Sequence, residues 1–406
     1  MNILVLSELF HPHGSGAELA TFLYADMLSR TDCNVKVVTN RFGDEPSSSK
    51  IGSLEIYRIP LLGEAIDTKY SILRRSDVLI TDSIRKMIKW SDVVYVPRFW
   101  FSAILAAKAL RKPVVAHVHD YIPVCPLATL HEKSKSTGRC DCSIFHCSAK
   151  CIYEFEKLRG RRAGETVASL ALNFSVGRVL PKLVGLSDAV ICVSRAQRDI
   201  IAEKEPWLRR KLHVLYNPFL MGTDTSMTGK DFGYFGGRDS LKGFVLLCKA
   251  LLHRRASGSE QIHVQATKLR NSEPKFEEML EKLGFIPYSR LDAAQFKAVY
   301  RQIQTVLVPS IWGEPWPYVV VEALTQRRLL VASKIGGIPE QVEGCEGAFL
   351  FEPGDERQLM ETIEMAKSLS KDQVNDFGMR NKEVFLQRFN NESSIRKFIR
   401  ICEQLT

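Results

Sequence analysis

No run of about 18 apolar residues occurs in this 406-residue chain, so no segment reads as a helix long enough to cross a bilayer. The longest candidate, Phe99 to Ala107, stops at Lys108. The first residues lack a basic n-region and a long apolar core, and the charged Glu8 follows closely. Met1 to Leu6 therefore reads as a first strand rather than a secretory leader, and a cytoplasmic protein is the expectation. Neither an internal repeat nor a low-complexity tract is evident, which argues against a solenoid or a disordered chain. Asp-x-Asp is absent throughout. Enzymes that hold a diphosphate through a divalent ion usually need such a carboxylate pair. Any phosphate chemistry here is expected to run without a metal or other catalytic cofactor.

What is present is ordinary for a globular protein: 45% hydrophobic and 25% charged residues. The length suggests two or three domains. A formal net charge of +10 favours anionic partners, whether nucleic acid, anionic lipid or phosphorylated substrate. Basic residues concentrate in Lys150 to Arg162 and Arg195 to Lys211, with apolar residues at helix-like spacing from Val167 to Val184. One reading is a solvated basic face. The other is a surface that docks peripherally on the inner, anionic face of a membrane, where a lipid-linked acceptor waits.

Strand-like and helical segments alternate. Asn2 to Leu6, Val35 to Thr39, Val93 to Val96, Val114 to His117 and Val190 to Val193 read as buried parallel strands. After Asn217-Pro218 a second series follows: Gly233 to Phe235, Ile262 to Gln265, Thr305 to Val308, Leu329 to Ala332 and Ala348 to Phe351. The pattern predicts an α/β protein of two doubly wound, Rossmann-like domains, 1–216 and 217–389, facing a central cleft.

The most informative stretch is Trp312-Gly-Glu314-Pro315-Trp316-Pro317-Tyr318-Val-Val-Val-Glu322. Pro315 and Pro317 suit a first helical turn, where a missing N–H costs little. Tyr318 to Leu324 reads as a buried helical face. At about 1.5 Å rise per residue, Glu314 and Glu322 would lie up to roughly 12 Å apart, too far to act on one bond. That spacing suits one long, hydroxyl-rich ligand whose phosphates sit at the helix N-terminus.

Glu, seven residues, Glu, ahead of Gly336-Gly337-Ile338-Pro339-Glu340, resembles the signature of the retaining glycosyltransferases of family four. Gly237-Arg238-Asp239-Ser240-Leu241-Lys242-Gly243 resembles the family's diphosphate clamp, although the family often has one more residue between the two cations. Pro309-Ser310, Ser15-Gly16-Ala17-Glu18 and His119-Asp120 are similar to further family elements, in the right order over nearly the whole chain. The resemblance implies the GT-B architecture, with a C-terminal helix within 390–406 crossing back onto the N-terminal domain. It also implies transfer of a sugar from a nucleotide diphosphate to a hydroxyl of a glycan or lipid-linked acceptor. Charge that builds on the departing diphosphate must be met by cations and N–H donors.

Within that resemblance Arg238 and Lys242 would neutralise the diphosphate, Arg by a forked contact and Lys as a compact charge. Glu314 would accept hydrogen bonds from the donor sugar, and Glu322 from the ribose. Backbone N–H groups near Trp316 to Tyr318 would add donors that Pro315 and Pro317 cannot. Ser15 and Gly16 would let backbone approach phosphate closely, Ser15 standing where the family has glycine. His119 would lie beside the reacting centre without acting as a general base. Asp120 and Glu18 belong to the acceptor side, with a helix-start acid as the plainer reading of Glu18. His119, Glu314 and Lys242 form the expected catalytic set.

Ten cysteines are present, five of them in the loop 125–151: Cys125, Cys140, Cys142, Cys147 and Cys151. Cys140, Cys142, Cys147 and Cys151 are dense enough for a structural zinc site. An iron–sulfur centre, a disulfide and free thiols are the alternatives.

Three other functions compete. A sugar-nucleotide epimerase on the same fold would lack the paired Glu spacing. A phosphorylase would need a pyridoxal-binding lysine signature that is not found. A nucleic-acid module would present basic and aromatic residues from the cysteine cluster. Arg139, Phe145 and Lys150 are too few for that, so nucleic acid is not an expected partner.

Overall fold

A computed structural model describes residues 1–62, 76–125, 127–130, 151, 179–222, 225–252, 261–265, 278, 280–288 and 291–406. They fall into two compact units. The first is built from Met1–Thr129, the described part of 142–219, and Asn390–Thr406; the second is Leu220–Phe389, with Leu130.

The first unit carries eight described strands: β1 Asn2–Leu6, β2 Asn34–Asn40, β3 Ser48–Ile51, β4 Leu54–Ile59, β5 Val93–Pro97, β6 Val114–Val118, β7 Ala189–Cys192 and β8 Leu212–Val214. Their order is β3-β4-β2-β1-β5-β6-β7-β8. Every pairing is parallel except β3 with β4. Strands β5 and β6 are buried at every residue, as strands covered on both faces must be. Side chains alternate between two cores. Leu4, Leu6, Val94, Val96, Val114 and Ala116 join one; Ile3, Val5, Val93, Tyr95 and Val115 join the other.

Helices α1 Gly16–Ser29, α2 Asp82–Trp90, α3 Ser102–Ala109 and α4 Arg195–Lys204 flank this sheet. The C-terminal helix, Asn391–Glu403, adds Ile395, Phe398, Ile401 and Cys402 to the second core. Its start is fixed by Asn391, whose side chain bonds the Phe219 N–H at 3.0 Å and the Phe219 carbonyl at 2.8 Å.

The second unit holds β9 Asp231–Tyr234, β10 Ile262–Gln265, β11 Phe285–Tyr288, β12 Ile303–Val308, β13 Leu329–Ser333 and β14 Ala348–Phe351. Between and after them run α5 Phe244–Leu252, α6 Ala293–Gln302, α7 Tyr318–Thr325, α8 Ile338–Val342, α9 Glu356–Ser368 and α10 Lys371–Arg388. The sheet is wholly parallel in the order β11-β10-β9-β12-β13-β14. Counted within the unit this is 3-2-1-4-5-6, the doubly wound order whose ligand crevice opens at the carboxyl ends of its two central strands. Those strands are β9 and β12. In the first unit the corresponding reversal lies between β1 and β5.

Every strand expected from the sequence is present. Strands β3, β4, β8 and β11 were not expected. β3 (SSKI) is polar and mostly exposed, β8 has three half-buried residues, and β11 contains Pro287. None of these three shows the apolar run that marks a central strand.

Candidate active site

At the switch point of the second unit, two loops meet. The loop after β9 runs to Gly243 and the loop after β12 runs through Pro309 and Ser310. Gly243 has φ of 84°, and a β-carbon there would fall 1.8 Å from the Pro309 carbonyl oxygen. Only glycine allows that approach. The Ile311 N–H donates to the Leu241 carbonyl at 2.9 Å, and the Tyr234 hydroxyl to the Lys242 carbonyl at 3.3 Å. Lys242 is thus delivered to the end of β12 from a turn. Arg238 stands four residues earlier on that turn, after Gly237 at φ 67°. The two cations precede α5 rather than share its first turn.

Lys242 forms an ion pair with Glu314 through Oε1. The same oxygen accepts from Ser310 Oγ at 3.0 Å and from Trp312 Nε1 at 2.9 Å. Lys242 Nζ also lies 5.2 Å from the centre of the Trp312 ring. The Glu314 side chain is 5% exposed and that of Lys242 37%, so the carboxylate is anchored and the ammonium reaches solvent. A carboxylate this buried is tolerated because three donors converge on it. The Glu314 carbonyl in turn accepts from the Gly337 N–H at 2.7 Å. This places the Gly336-Gly337 element directly behind Glu314.

One expectation is corrected here. Helix α7 begins at Tyr318, with Pro317 at its N-cap (φ −70°, ψ 122°). Pro315 and Pro317 therefore precede the first turn instead of forming it, because the loop from Pro309 must first turn back at Glu314. The helical-rise estimate consequently does not apply to the whole Glu314–Glu322 span. Trp316 is buried and packs edge-on against Phe389 at 5.0 Å. Gln341, from α8, donates to the Pro317 carbonyl at 3.3 Å. Glu322 lies on α7, partly buried, and burial pushes its carboxyl up to about 7.

The first unit gathers a separate polar cluster across β1 and β5. Ser15 caps α1, with Glu18 completing a capping box: Glu18 Oε2 accepts the Ser15 N–H at 2.6 Å. Its other oxygen lies 2.6 Å from Arg98 Nη1, while Arg98 Nε reaches Glu8 Oε1 at 3.2 Å. Both carboxylates are buried. Glu18 thus acts as a helix-start acid whose two oxygens also meet the Ser15 N–H and Arg98 within the unit. Burial raises the Glu8 carboxyl, with Arg98 opposing. Gly16 is the first residue of α1.

His119 follows β6 directly. Its ring lies 4.2 Å from that of His117, which is held through Nδ1 by the Tyr95 hydroxyl at 2.6 Å. Neither His119 ring nitrogen meets a hydrogen-bond partner among the described residues. Burial first, and the Arg98 charge second, push its pKa down to about 3. Asp120 Oδ1 accepts the Ile122 N–H at 2.8 Å, and Gln197 holds the Asp120 carbonyl at 2.8 Å. The Asp120 carboxylate therefore shapes its own loop.

Sequence reasoning passed over Trp312 as a functional residue, and it passed over Arg98 and Glu8. A guanidinium just after a strand carries no local signature. The only available signal was that Glu8 and Arg98 each follow a central strand. Cys140, Cys142 and Cys147 lie outside the described residues, as does most of the expected amphipathic stretch; Cys151 is buried. Among the described residues no helix is long and apolar enough to cross a membrane, and no cluster of metal-ligating side chains occurs.

Two parallel-sheet α/β units, each with polar groups at its switch point, define the GT-B class of glycosyltransferase folds. Solved structures agree. Sucrose-phosphate synthase from Thermosynechococcus elongatus matches with a TM-score of 0.71 at 14% identity, over 100% of this chain and 98% of that one. Anabaena HepE in complex with UDP-glucose matches with a TM-score of 0.68 at 15% identity, over 100% of both chains. An uncharacterized 42.6 kDa protein of the cps region of Klebsiella pneumoniae is 20% identical over 350 residues, 84% of this chain and 87% of that protein. Residues 14–219 match Glycosyltransferase Family 4, and residues 229–367 match Glycosyl transferases group 1. The chain belongs to glycosyltransferase family 4.

Proposed function

We propose that the protein transfers a hexosyl group, with retention of anomeric configuration, from a UDP- or GDP-sugar to a hydroxyl of a glycan or lipid-linked acceptor, without a catalytic metal. The observation that carries this reading is the Lys242–Glu314 pair at the β9/β12 switch point. An anchored carboxylate beside a solvent-reaching ammonium suits a ligand with sugar hydroxyls next to a diphosphate. The ammonium offsets charge on the departing diphosphate, and Arg238 on the same turn adds a second cation. Glu314 accepts hydroxyl hydrogen bonds from the sugar. Glu322 takes the ribose hydroxyls. His119, uncharged, belongs to the catalytic set without acting as a general base. The leaving phosphate oxygen accepts the acceptor's proton as the new bond forms on the same face. HepE in complex with UDP and with UDP-glucose shares the fold, which makes UDP-sugars the first donors to test.

The decisive experiment screens UDP- and GDP-sugars for donor hydrolysis and transfer with purified protein, with and without EDTA. Lys242→Ala and Glu314→Ala should each lower turnover by more than ~100-fold, the usual cost of losing one contact to developing charge. Near-wild-type turnover in both would refute the site. EDTA should leave initial rates unchanged. The reading includes structural zinc on Cys140, Cys142, Cys147 and Cys151, which metal analysis of the purified protein tests. It also includes peripheral docking on anionic lipid. Exposed Trp207 and Leu186 beside Lys182, Arg209 and Arg210 support this, and co-sedimentation with anionic against neutral vesicles tests it.

A further inference from the structure

Glu314 is held by more than its ion pair. Lys242 Nζ, Ser310 Oγ and Trp312 Nε1 all converge on Oε1, the last two at 3.0 and 2.9 Å. No described residue donates to Oε2. A carboxylate terminus turns in a broad, shallow well. Pinning one oxygen with three donors fixes where the other points. The three donors differ in what they can do. A hydroxyl rotates to suit whatever acceptor is near, and a lysine is a flexible point charge. An indole N–H is donor-only and rigidly directed. It is the one contact of the three that fixes a direction, while the charge is met by Lys242.

Trp312 also touches the other half of the pair. Its ring centre lies 5.2 Å from Lys242 Nζ, within the reach of a cation–π contact. Its own backbone is tied to the site, because the Glu314 N–H donates to the Trp312 carbonyl at 2.7 Å. The ring is only partly buried, so core packing is not its main contribution. One side chain thus orders both members of the pair, by its edge and by its face.

We propose that Trp312 is a positioning residue: it holds the Glu314 carboxylate and the Lys242 ammonium in register, so that the free carboxylate oxygen meets the donor sugar while the ammonium meets the diphosphate. The proposal rests on the donor-site reading above. It separates two contributions within that site. The indole N–H acts through Glu314 and is felt only by a ligand that carries a sugar. The indole face acts through Lys242 and is felt by any ligand that carries a diphosphate.

The test compares Trp312→Phe, which keeps an aromatic face and loses the N–H, with Trp312→Leu, which loses both. Each is titrated calorimetrically with UDP and UDP-glucose, or with GDP and GDP-mannose, whichever pair the wild-type protein binds. For Trp312→Phe, affinity for the sugar nucleotide should fall about 10-fold or more, as for a lost hydrogen bond to a charged group, while affinity for the bare diphosphate stays within about 2-fold. Trp312→Leu should weaken both ligands. Ser310→Ala, which removes a second donor to Oε1, should reproduce the sugar-selective loss and guards against a variant that fails to fold. Thermal melts confirm that each variant is folded. Unchanged sugar-nucleotide affinity in folded Trp312→Phe, or equal loss for both ligands, overturns the proposal while leaving the donor site intact. A wild-type protein that binds neither pair overturns the donor-site reading, and the proposal falls with it.

Discussion

Gly336 lies against the backbone of Glu314. At φ 58°, a β-carbon on residue 336 would fall 2.3 Å from the Glu314 carbonyl oxygen and 2.8 Å from its nitrogen. Both contacts are with backbone, so no rotamer change relieves them. Gly336→Ala should therefore push the Glu314 turn out of place as well as strain residue 336 itself. A left-handed conformation costs a non-glycine residue roughly 1–2 kcal/mol, and the overlap adds to it. A loss of about 2–4 kcal/mol in denaturant unfolding is expected, with transfer activity falling further than stability alone explains. Wild-type stability in this variant would show that the close approach is not maintained in solution.

Glu322 gives the second unit a pH dependence with a definite sign. Burial raises its carboxyl to about 7. The group contributes stability that is fully present below its unfolded pKa and lost as pH rises through about 7. Glu322→Gln should therefore be more stable than wild type at pH 8, by roughly 2–4 kcal/mol, and no more stable at pH 4. Ligand binding should run the opposite way. If ribose hydroxyls donate to an ionised Glu322, nucleotide affinity should rise about 10-fold between pH 6 and pH 8, with a proton released on binding. Calorimetry in buffers of different ionisation enthalpy measures both. Affinity that is flat over that range would remove the carboxylate from the nucleotide site.

The two sheets were legible because their central strands are buried on both faces and read as unbroken apolar runs: Val93 to Val96 and Thr305 to Val308 are examples. The ion pair was legible only as two separate motifs. Lys242 and Glu314 are 72 positions apart, and the contact that joins them depends on Gly243 passing over Pro309. Periodicity carries no information about that approach. The start of α7 was misjudged for a related reason. Prolines fit a first turn and an N-cap equally well by φ alone, and the choice was made by the turn at Glu314. Arg98 was invisible because its function depends on two carboxylates on other elements, Glu8 and Glu18.

That Arg98 cluster spans the switch point of the first unit. Arg98 sits at φ 69° just past β5 and reaches Glu8 past β1 and Glu18 in α1. Arg98→Met would leave two buried carboxylates without their shared cation, a change that typically costs 3–5 kcal/mol. Arg98→Lys keeps the charge but not the fork, so it should fall between wild type and Met. Adding Glu18→Gln to Arg98→Met should recover part of the loss, because one uncompensated charge is removed. Urea unfolding of the three variants checks the order. Equal stability of wild type and Arg98→Met would mean that the cluster is solvated rather than enclosed.

His119 is placed for a role that does not involve its ionisation. Burial and the Arg98 charge hold its pKa near 3, so the ring is a neutral imidazole from pH 5 to pH 8. At saturating donor, where ribose hydroxyls bound as proposed would keep Glu322 ionised, kcat should show no limb near 6.5, the ordinary histidine range. His119→Asn retains hydrogen-bonding groups and cannot titrate, so it should lower kcat without changing the shape of its pH profile. His119→Phe should lower kcat further, since ring bulk remains but both polar atoms are gone. A kcat limb near 6.5 in wild type that disappears in His119→Asn would show that the ring takes up a proton during turnover. Burial of both ring nitrogens beside His117, with the Arg98 charge nearby, disfavours the imidazolium that such a step would produce.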